Sequence, residues 1–480
     1  MKLFFNKKGG TPYFLAAVCL LFIMLTNPGC NGCCCSSDCK PKNFVVRHVS
    51  TDSGLKPNDS QVLVLHTSAT NEYVDQWLDS IGAKYGDINV YLGCRACGDS
   101  SLFVLDGAGI NAWVQSGTAT GGSGGNGKER PQGGDTLYYC RNLTIQVPEL
   151  NQDSPLNANV KQPPVGSAHT GTTLVGVLDT GIDPALASII FKSTGPVSCP
   201  GPDAGSGWNF SYNSKDVTDD YKARHGTVVT QFILDQAAKF TNNDVSILPV
   251  KVFDSAGTTN LSVILCGLAY AKDRGAQIIN ASFGFYARRT TSAIDGIDSA
   301  GLLLEKYVEK YLTANHILLI AAAGNREPYE SDVFTPNPNV PVTWRNLDSV
   351  SFYPASLSRR LANVIAVTTT YPDNSGQVTP NQNFSPNVVG IGVVGDRFIG
   401  PPGSDCVFAN PIDNFSASNG SSFATPIAAG KIAAFYPFLA ASGGNTLDGV
   451  VGALQIKGEI TTTSTGVGPT KVKKGASMRK

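Results

Sequence analysis

From about Thr172 onward the chain alternates short, mostly apolar runs with stretches of helical periodicity, and that alternation admits few folds. The runs at 174–178, 246–253, 277–281, 317–323 and 364–368 show no polar–apolar alternation, the mark of strands covered on both faces. Helix candidates lie between them at 226–238, 261–274 and 303–314, with an Ala-rich one at 423–439. The expected architecture is α/β: a doubly wound, mostly parallel sheet with helices on both faces, whose active site lies at the carboxyl ends of the strands. Asp179 and Asn325 each fall just past such a strand.

A smaller α+β unit is expected before this region. Residues 61–65 read as a strand, and Tyr73, Val74, Trp77, Leu78 and Ile81 share one face of a helix over 71–81. Two more strand candidates follow at 88–92 and 102–105, and residues 116–135 are Gly-rich with little to bury. The resulting division is 1–29 signal peptide, 30–60 Cys-rich tether, 61–150 small α+β unit, 165–460 main domain and 461–480 polar tail. No internal repeat is present.

The N-terminus points to export. Lys2, Lys7 and Lys8 precede an apolar run over 14–25, which has the length of a signal-peptide core and is short for a membrane span. The run ends in Thr26-Asn27-Pro28-Gly29-Cys30, which resembles a bacterial lipoprotein cleavage site, with Cys30 as the lipidated residue; simple cleavage and secretion is the alternative. Twelve cysteines fit an oxidising compartment. Cys94 and Cys97 have the spacing of a redox or half-zinc motif, but no second Cys/His pair follows, so a disulfide-tied loop is expected there. The formal net charge is zero and only 15% of residues are charged, which speaks against nucleic acid as a partner.

Three short motifs carry the chemistry: Asp179-Thr180-Gly181 ending an apolar strand, His225-Gly226-Thr227 opening a helix, and Gly420-Ser421-Ser422-Phe423-Ala424-Thr425-Pro426 opening another. A serine hydroxyl needs a base within hydrogen-bond reach and a third group to hold that base in the right tautomer. Ser422 as nucleophile, His225 as base and Asp179 as orienter supply those roles. Each residue also has a plainer explanation. Ser422 at a helix start suits an N-cap, Ser421 is its competitor, and Gly324-Asn325 suits a turn. Asp-Thr-Gly also signs aspartic proteases, with Asp52 as the conceivable second carboxylate, yet that scheme leaves His225 and Ser422 without a role. His48, His66, His169 and His316 lack a comparable setting.

With these motifs in the order Asp, His, Ser, the chain resembles the subtilisin-like serine endopeptidases. Gly207-Trp208-Asn209-Phe210, Asp219-Asp220 and 248–253 match the surroundings of the family's His motif, and the likeness runs over roughly 171–439. Ser282-Phe283-Gly284-Phe285 stands where the family has Ser-Leu-Gly-Gly in its substrate-binding strand, and Ala322-Ala323-Gly324-Asn325 matches its oxyanion segment unchanged. The resemblance implies that Ser282, Phe283, Gly284, Ala322, Ala323 and Gly324 bind substrate and that the Asn325 amide stabilises the oxyanion. It also places Arg326 near the primary specificity pocket, where its charge is expected to favour an acidic, or at least discourage a basic, residue before the scissile bond.

Protein or peptide substrates, cleaved through an acyl-enzyme, are the implied targets. Val228 and Ile427 replace histidines common in the family, and Phe285 replaces a glycine. The 61–147 unit is expected to be a prodomain removed by self-cleavage between about Pro148 and Lys161, or an accessory domain that stays attached. No cofactor and no metal site are assigned; structural calcium is frequent in the family, but no Asp/Asn-rich loop of defined spacing is present. A catalytically silent binding module of the same fold, and a transpeptidase or maturation enzyme, are the rival functions.

Overall fold

The computed structural model describes residues 46–49, 61–66, 71–94, 99–115, 128–129, 137–147, 173–184, 186, 207–240, 245–286, 299–325, 346–370, 378, 382–393, 397–399, 407–409, 420–441, 444–462, 472 and 476–478. The signal segment, Cys30 and most of the tether lie outside them, as does Arg326. No described helix is long and apolar enough to cross a membrane.

The N-terminal part is a six-stranded sheet: β1 (Val46–Val49), β2 (Val62–His66), β3 (Ile88–Cys94), β4 (Asp99–Asp106), β5 (Lys128–Glu129) and β6 (Leu137–Arg141). They lie in the order β1-β3-β4-β2-β6-β5, with β1 and β3 parallel and the other neighbours antiparallel. Two expectations change here. β1 falls in the supposed tether, and β5 falls in the Gly-rich stretch and pairs with β6. The central strands β2, β4 and β6 alternate between two apolar sets, because both of their faces are covered. Val62, Val64, Phe103, Leu105, Leu137 and Tyr139 face helices α1 (Asn71–Tyr85) and α2 (Ala108–Gln115), where Trp77 and Trp113 meet edge to face.

The opposite face carries Leu63, Leu65, Leu102, Val104, Tyr138 and Cys140, which merge into the core of the main domain. That domain holds a nine-stranded sheet. In chain order, β7 (Thr144–Gln146) precedes it, and β8 (Thr173–Asp179), β9 (Trp208–Asn209) and β10 (Val245–Lys251) form one side. After β11 (Thr258–Asn260) come β12 (Ile278–Ala281), β13 (Phe285–Tyr286), β14 (Leu318–Ala322), β15 (Phe352–Tyr353), β16 (Val364–Thr369) and β17 (Val389–Val393). A hairpin of β18 (Arg397–Ile399) and β19 (Val407–Ala409) follows, then β20 (Ile460–Thr462) and β21 (Ala476–Met478). The sheet order is β20-β21-β17-β16-β14-β12-β8-β10-β9, parallel throughout except between β20 and β21. The supposed polar tail therefore enters the sheet, and its Met478 is buried.

Helices cover both faces, as the apolar strands require. α3 (His225–Ala237) and α6 (Ser421–Ala434) pack on one side, with the short α7 (Tyr436–Ala441) and α8 (Leu447–Ile456) beyond. α4 (Leu261–Asp273) and α5 (Ser299–Tyr311) pack on the other, sandwiched against the N-terminal sheet. The chain leaves β8 toward β10 on one side and returns to β12 on the other, so the order reverses at β8. Such a switch point opens a crevice at the strand ends. Asp179 closes β8 at that crevice.

The N-terminal part also completes α4. A helix leaves its first-turn N–H groups without internal partners. Leu143 O accepts from Leu261 N at 3.0 Å and Asn142 Oδ1 accepts from Ser262 N at 3.0 Å, while Asn260 Oδ1 accepts from Val263 N at 3.1 Å. β7 pairs antiparallel with β11 directly upstream. A disulfide then joins Cys94, at the end of β3, to Cys266 on α4. This replaces the local Cys94–Cys97 loop expected from spacing, because Cys94 emerges against α4 with the Cα atoms 5.2 Å apart. The bond spans 172 residues, and chain-entropy arguments put a closure of that length at about 5 kcal/mol.

One prediction follows from that bond. If the chain is cut at a protease site inserted between residues 148 and 172, the two fragments should run as one species in a non-reducing denaturing gel and part after thiol reduction. Separation without reductant would show that Cys94 and Cys266 are not joined.

Candidate active site

Two of the motifs interlock backbone to backbone. A Cβ on Gly226 would lie 2.3 Å from Gly181 O and 3.1 Å from Asp179 Cβ, so only glycine lets the start of α3 come this close to the end of β8. Thr180 Oγ1 accepts from Gly226 N at 2.8 Å, and Asp219 Oδ2 accepts from Thr227 N at 2.9 Å and Thr227 Oγ1 at 2.8 Å. Those two side chains act as the N-cap that Arg224, left-handed at φ 51°, does not supply.

This close approach sets the Asp179 carboxylate against the His225 ring. Asp179 Oδ1 lies 2.7 Å from Nδ1 and also accepts from Thr180 N at 2.8 Å. Both side chains are buried, and Nε2 has no hydrogen-bond partner among the described residues. A carboxylate accepting at Nδ1 fixes the tautomer in which Nε2 is free to take a proton. The partner of Asp179 is thus an imidazole rather than a second carboxylate, which removes the support for the aspartic-protease scheme; Asp52 lies outside the described residues.

Ser421 and Ser422 open α6, and their hydroxyls differ in commitment. Ser421 Oγ accepts from Gly324 N at 3.0 Å and donates to Asn325 Oδ1 at 3.3 Å. Ser422 Oγ makes no hydrogen bond among the described residues, to His225 or any other group, although Ser422 is only 3% exposed. Its neighbour Phe423 holds the His225 ring at a centroid distance of 5.4 Å. The motifs therefore converge, but the final serine–histidine hydrogen bond is open; such bonds often tighten only with substrate.

Asn325 follows β14, as expected. Its Oδ1 also accepts from Ser421 N at 3.2 Å, and a Cβ on Gly420 would lie 2.8 Å from it. With Oδ1 accepting these bonds, Nδ2 is the donor side of the amide. Residues the sequence did not single out complete this wall: Gln382 Oε1 accepts from Ser421 N at 2.9 Å, and Asn383 Nδ2 donates to Ala323 O at 2.9 Å. Tyr286 donates its hydroxyl proton to Asn325 O. No sequence signal beyond the polarity of Gln382 and Asn383 marks them.

Of the expected substrate strand, Ser282 Oγ accepts from Asn280 Nδ2 at 2.9 Å, Phe283 is buried edge-on to Phe253, and Gly284 abuts Phe352. Val228 and Ile427 lie buried in one apolar core, where a histidine would be left without partners. Among the described residues no His, Cys, Asp and Glu group is arranged to hold a metal ion.

Burial alone pushes the His225 pKa down, but the charge and hydrogen bond of Asp179, helped by Asp219, outweigh it and hold the ring above its ordinary 6.5. Burial pushes the Asp219 carboxyl up, against the hydrogen bonds from Thr227. Because the folded-state value of His225 is raised, the stabilisation gained by protonating it is full below the unfolded value. It is lost as pH rises through the folded one. NMR titration should place His225 above 6.5, and Asp219→Asn should bring it down. A ring titrating below that value would show that burial dominates.

The model of the subtilase family matches residues 170–475. The cell wall-associated protease of Bacillus subtilis (strain 168) is 35% identical over 137 residues, 27% of this chain and 14% of that protein. Subtilisin DY of Bacillus licheniformis is 26% identical over 301 residues, 61% of this chain and 84% of that protein. Among solved structures, the epidermin leader peptide processing serine protease (EpiP) of Staphylococcus aureus superposes with a TM-score of 0.49 at 16% identity, covering 87% of this chain and 96% of that one. The chain thus spans about one seventh of the first relative's length and most of the second's. A family match over more than half of the sequence, on a doubly wound parallel sheet, establishes that the chain belongs to the subtilase family of serine-type peptidases.

Proposed function

We propose that the chain is a serine endopeptidase that hydrolyses peptide bonds in proteins through an acyl-enzyme. The observation that carries this reading is the buried Asp179–His225 hydrogen bond, with Nε2 open and the Ser422 hydroxyl uncommitted at the start of the adjacent helix. Ser422 Oγ attacks the scissile carbonyl while its proton passes to His225 Nε2. Asp179 holds Nδ1–H and stabilises the imidazolium that forms. The developing oxyanion is met by Asn325 Nδ2 and by Ser422 N–H at the helix start, where backbone donors and the helix dipole favour negative charge. The imidazolium then protonates the leaving amine, and water, deprotonated by the same ring, releases the acyl group.

The two serines make the reading testable. A fluorophosphonate probe should label the wild type and Ser421→Ala but not Ser422→Ala, and Ser422→Ala should lose about 10⁶ in kcat. Asn325→Ala should lose about 10²–10³ in kcat with KM little changed. Absence of labelling in the wild type would leave the silent binding module. Acyl transfer to an added amine in preference to water, read by product mass, would favour the transpeptidase.

We infer further that the protein is exported, with Cys30 as the lipidated residue. The signal-like segment and the Cys94–Cys266 bond, which needs an oxidising compartment, support this. Self-cleavage between about Pro148 and Lys161 would free a new chain end without releasing the N-terminal part, because the disulfide and the shared core still hold it. The mature N-termini of the wild type and Ser422→Ala should differ if the cut is autolytic. Identical termini would reject self-processing.

A further inference from the structure

The proteolytic reading places the peptide beside 282–284, with its scissile carbonyl between Ser422 and Asn325. By the resemblance to the subtilisin-like endopeptidases, 282–284 and 322–324 both bind substrate, which puts the side chain preceding the scissile bond in the gap between these two segments. Glycine flanks this gap on both sides, at Gly284 and Gly324, which by itself would leave an open slot. The slot is filled. A Cβ on Gly284 would lie 2.3 Å from Phe352 Cε1, and one on Gly324 would lie 2.8 Å from Cε1 and Cζ of the same ring. One aromatic ring therefore rests against both walls, and it is only 6% exposed.

The ring is also fixed in place. β13 and β15 pair antiparallel, with Tyr286 opposite Phe352 and their rings meeting edge to face at 4.8 Å. Ser356 Oγ accepts from Phe352 N at 2.9 Å. The Tyr286 hydroxyl accepts from Asn383 Nδ2 at 2.7 Å and donates to Asn325 O, so the far wall is tied to the segment that carries the amide donor. Swinging Phe352 out would break into the apolar cluster it shares with Ala323, Ala355 and Phe384. Side-chain packing of this density does not yield a ring-sized space cheaply.

We propose that Phe352 is a specificity-determining residue, supported by Tyr286, that restricts the residue before the scissile bond to glycine, alanine or serine. This rests on the proteolytic reading above. A larger side chain meets the ring face, and the resulting overlap costs about 1–3 kcal/mol or more, equivalent to about 5–150-fold in kcat/KM.

Cleavage-site profiling of a peptide library tests it on the intact, disulfide-bonded protein. Hydrolysis after Ala should exceed hydrolysis after Phe or Leu by about tenfold or more in kcat/KM. Phe352→Gly should raise the ratio of kcat/KM for Phe over Ala at this position by about tenfold or more. Phe352→Ala, which keeps a Cβ, should give an intermediate gain. Wild-type cleavage after Phe or Leu as fast as after Ala would overturn the proposal even if neither variant folds. So would an unchanged profile in a Phe352→Gly protein that retains its near-UV circular dichroism. Fluorophosphonate labelling separates the two levels: labelled protein with the wrong profile rejects only this inference, whereas unlabelled, inactive protein rejects the proteolytic reading and this inference with it.

Discussion

The site depends on one close approach: the start of α3 against the end of β8, where the backbones of Gly181 and Gly226 leave no room for a Cβ. A hydrogen bond between a buried carboxylate and a buried imidazole forms only if the two chain segments meet at backbone contact, since neither side chain is long. The Thr180 hydroxyl and the Asp219 carboxylate then take over N–H groups that a helix start would otherwise leave open. The residues flanking Asp179 and His225 in the two motifs are therefore structural in a direct sense. They create the distance at which the chemistry is possible.

The same logic governs the third motif. Ser421 spends its hydroxyl and N–H on Gly324, Asn325 and Gln382, which locks the start of α6 to the end of β14. Ser422, one residue along, makes no such hydrogen bond among the described residues. Sequence motifs alone left the two serines as competitors, and among the described residues only Ser421 has its hydroxyl engaged. A committed hydroxyl is a poor choice of nucleophile because it must first give up bonds that hold the site together.

What the sequence made legible was governed by local signals. The buried parallel strands stood out as apolar runs, and β8, β10, β12, β14 and β16 begin and end within a few residues of the expected bounds. The motifs placed Asp179, His225, Asn325 and Ser422 at element ends without any structure. What escaped notice depends on long-range placement. Cys94 pairs with a cysteine 172 residues away rather than with the near one. The short polar strands β20 and β21 draw their stability from the sheet edge, not from their own pattern. Phe352 carried no signal because an aromatic next to tyrosine and proline reads as ordinary core; its role appears only where two distant glycines meet its ring.

The N-terminal sheet shows how far the two parts of the molecule form one system. Its strands β2, β4 and β6 are apolar on both faces, and one of those faces is core shared with α4 and α5. Removing it would expose that apolar face to water and take away the partners of the Leu261 and Ser262 N–H groups. Reducing the disulfide alone removes a tether and none of these interactions. The segment that receives β7, from Gly257 through β11, leads directly into α4, whose Leu261 and Ile264 share a core with Phe283 of the proposed substrate strand. The N-terminal part thus packs on the same helix that backs the proposed substrate strand, which makes it a structural support of that region rather than a separate appendage.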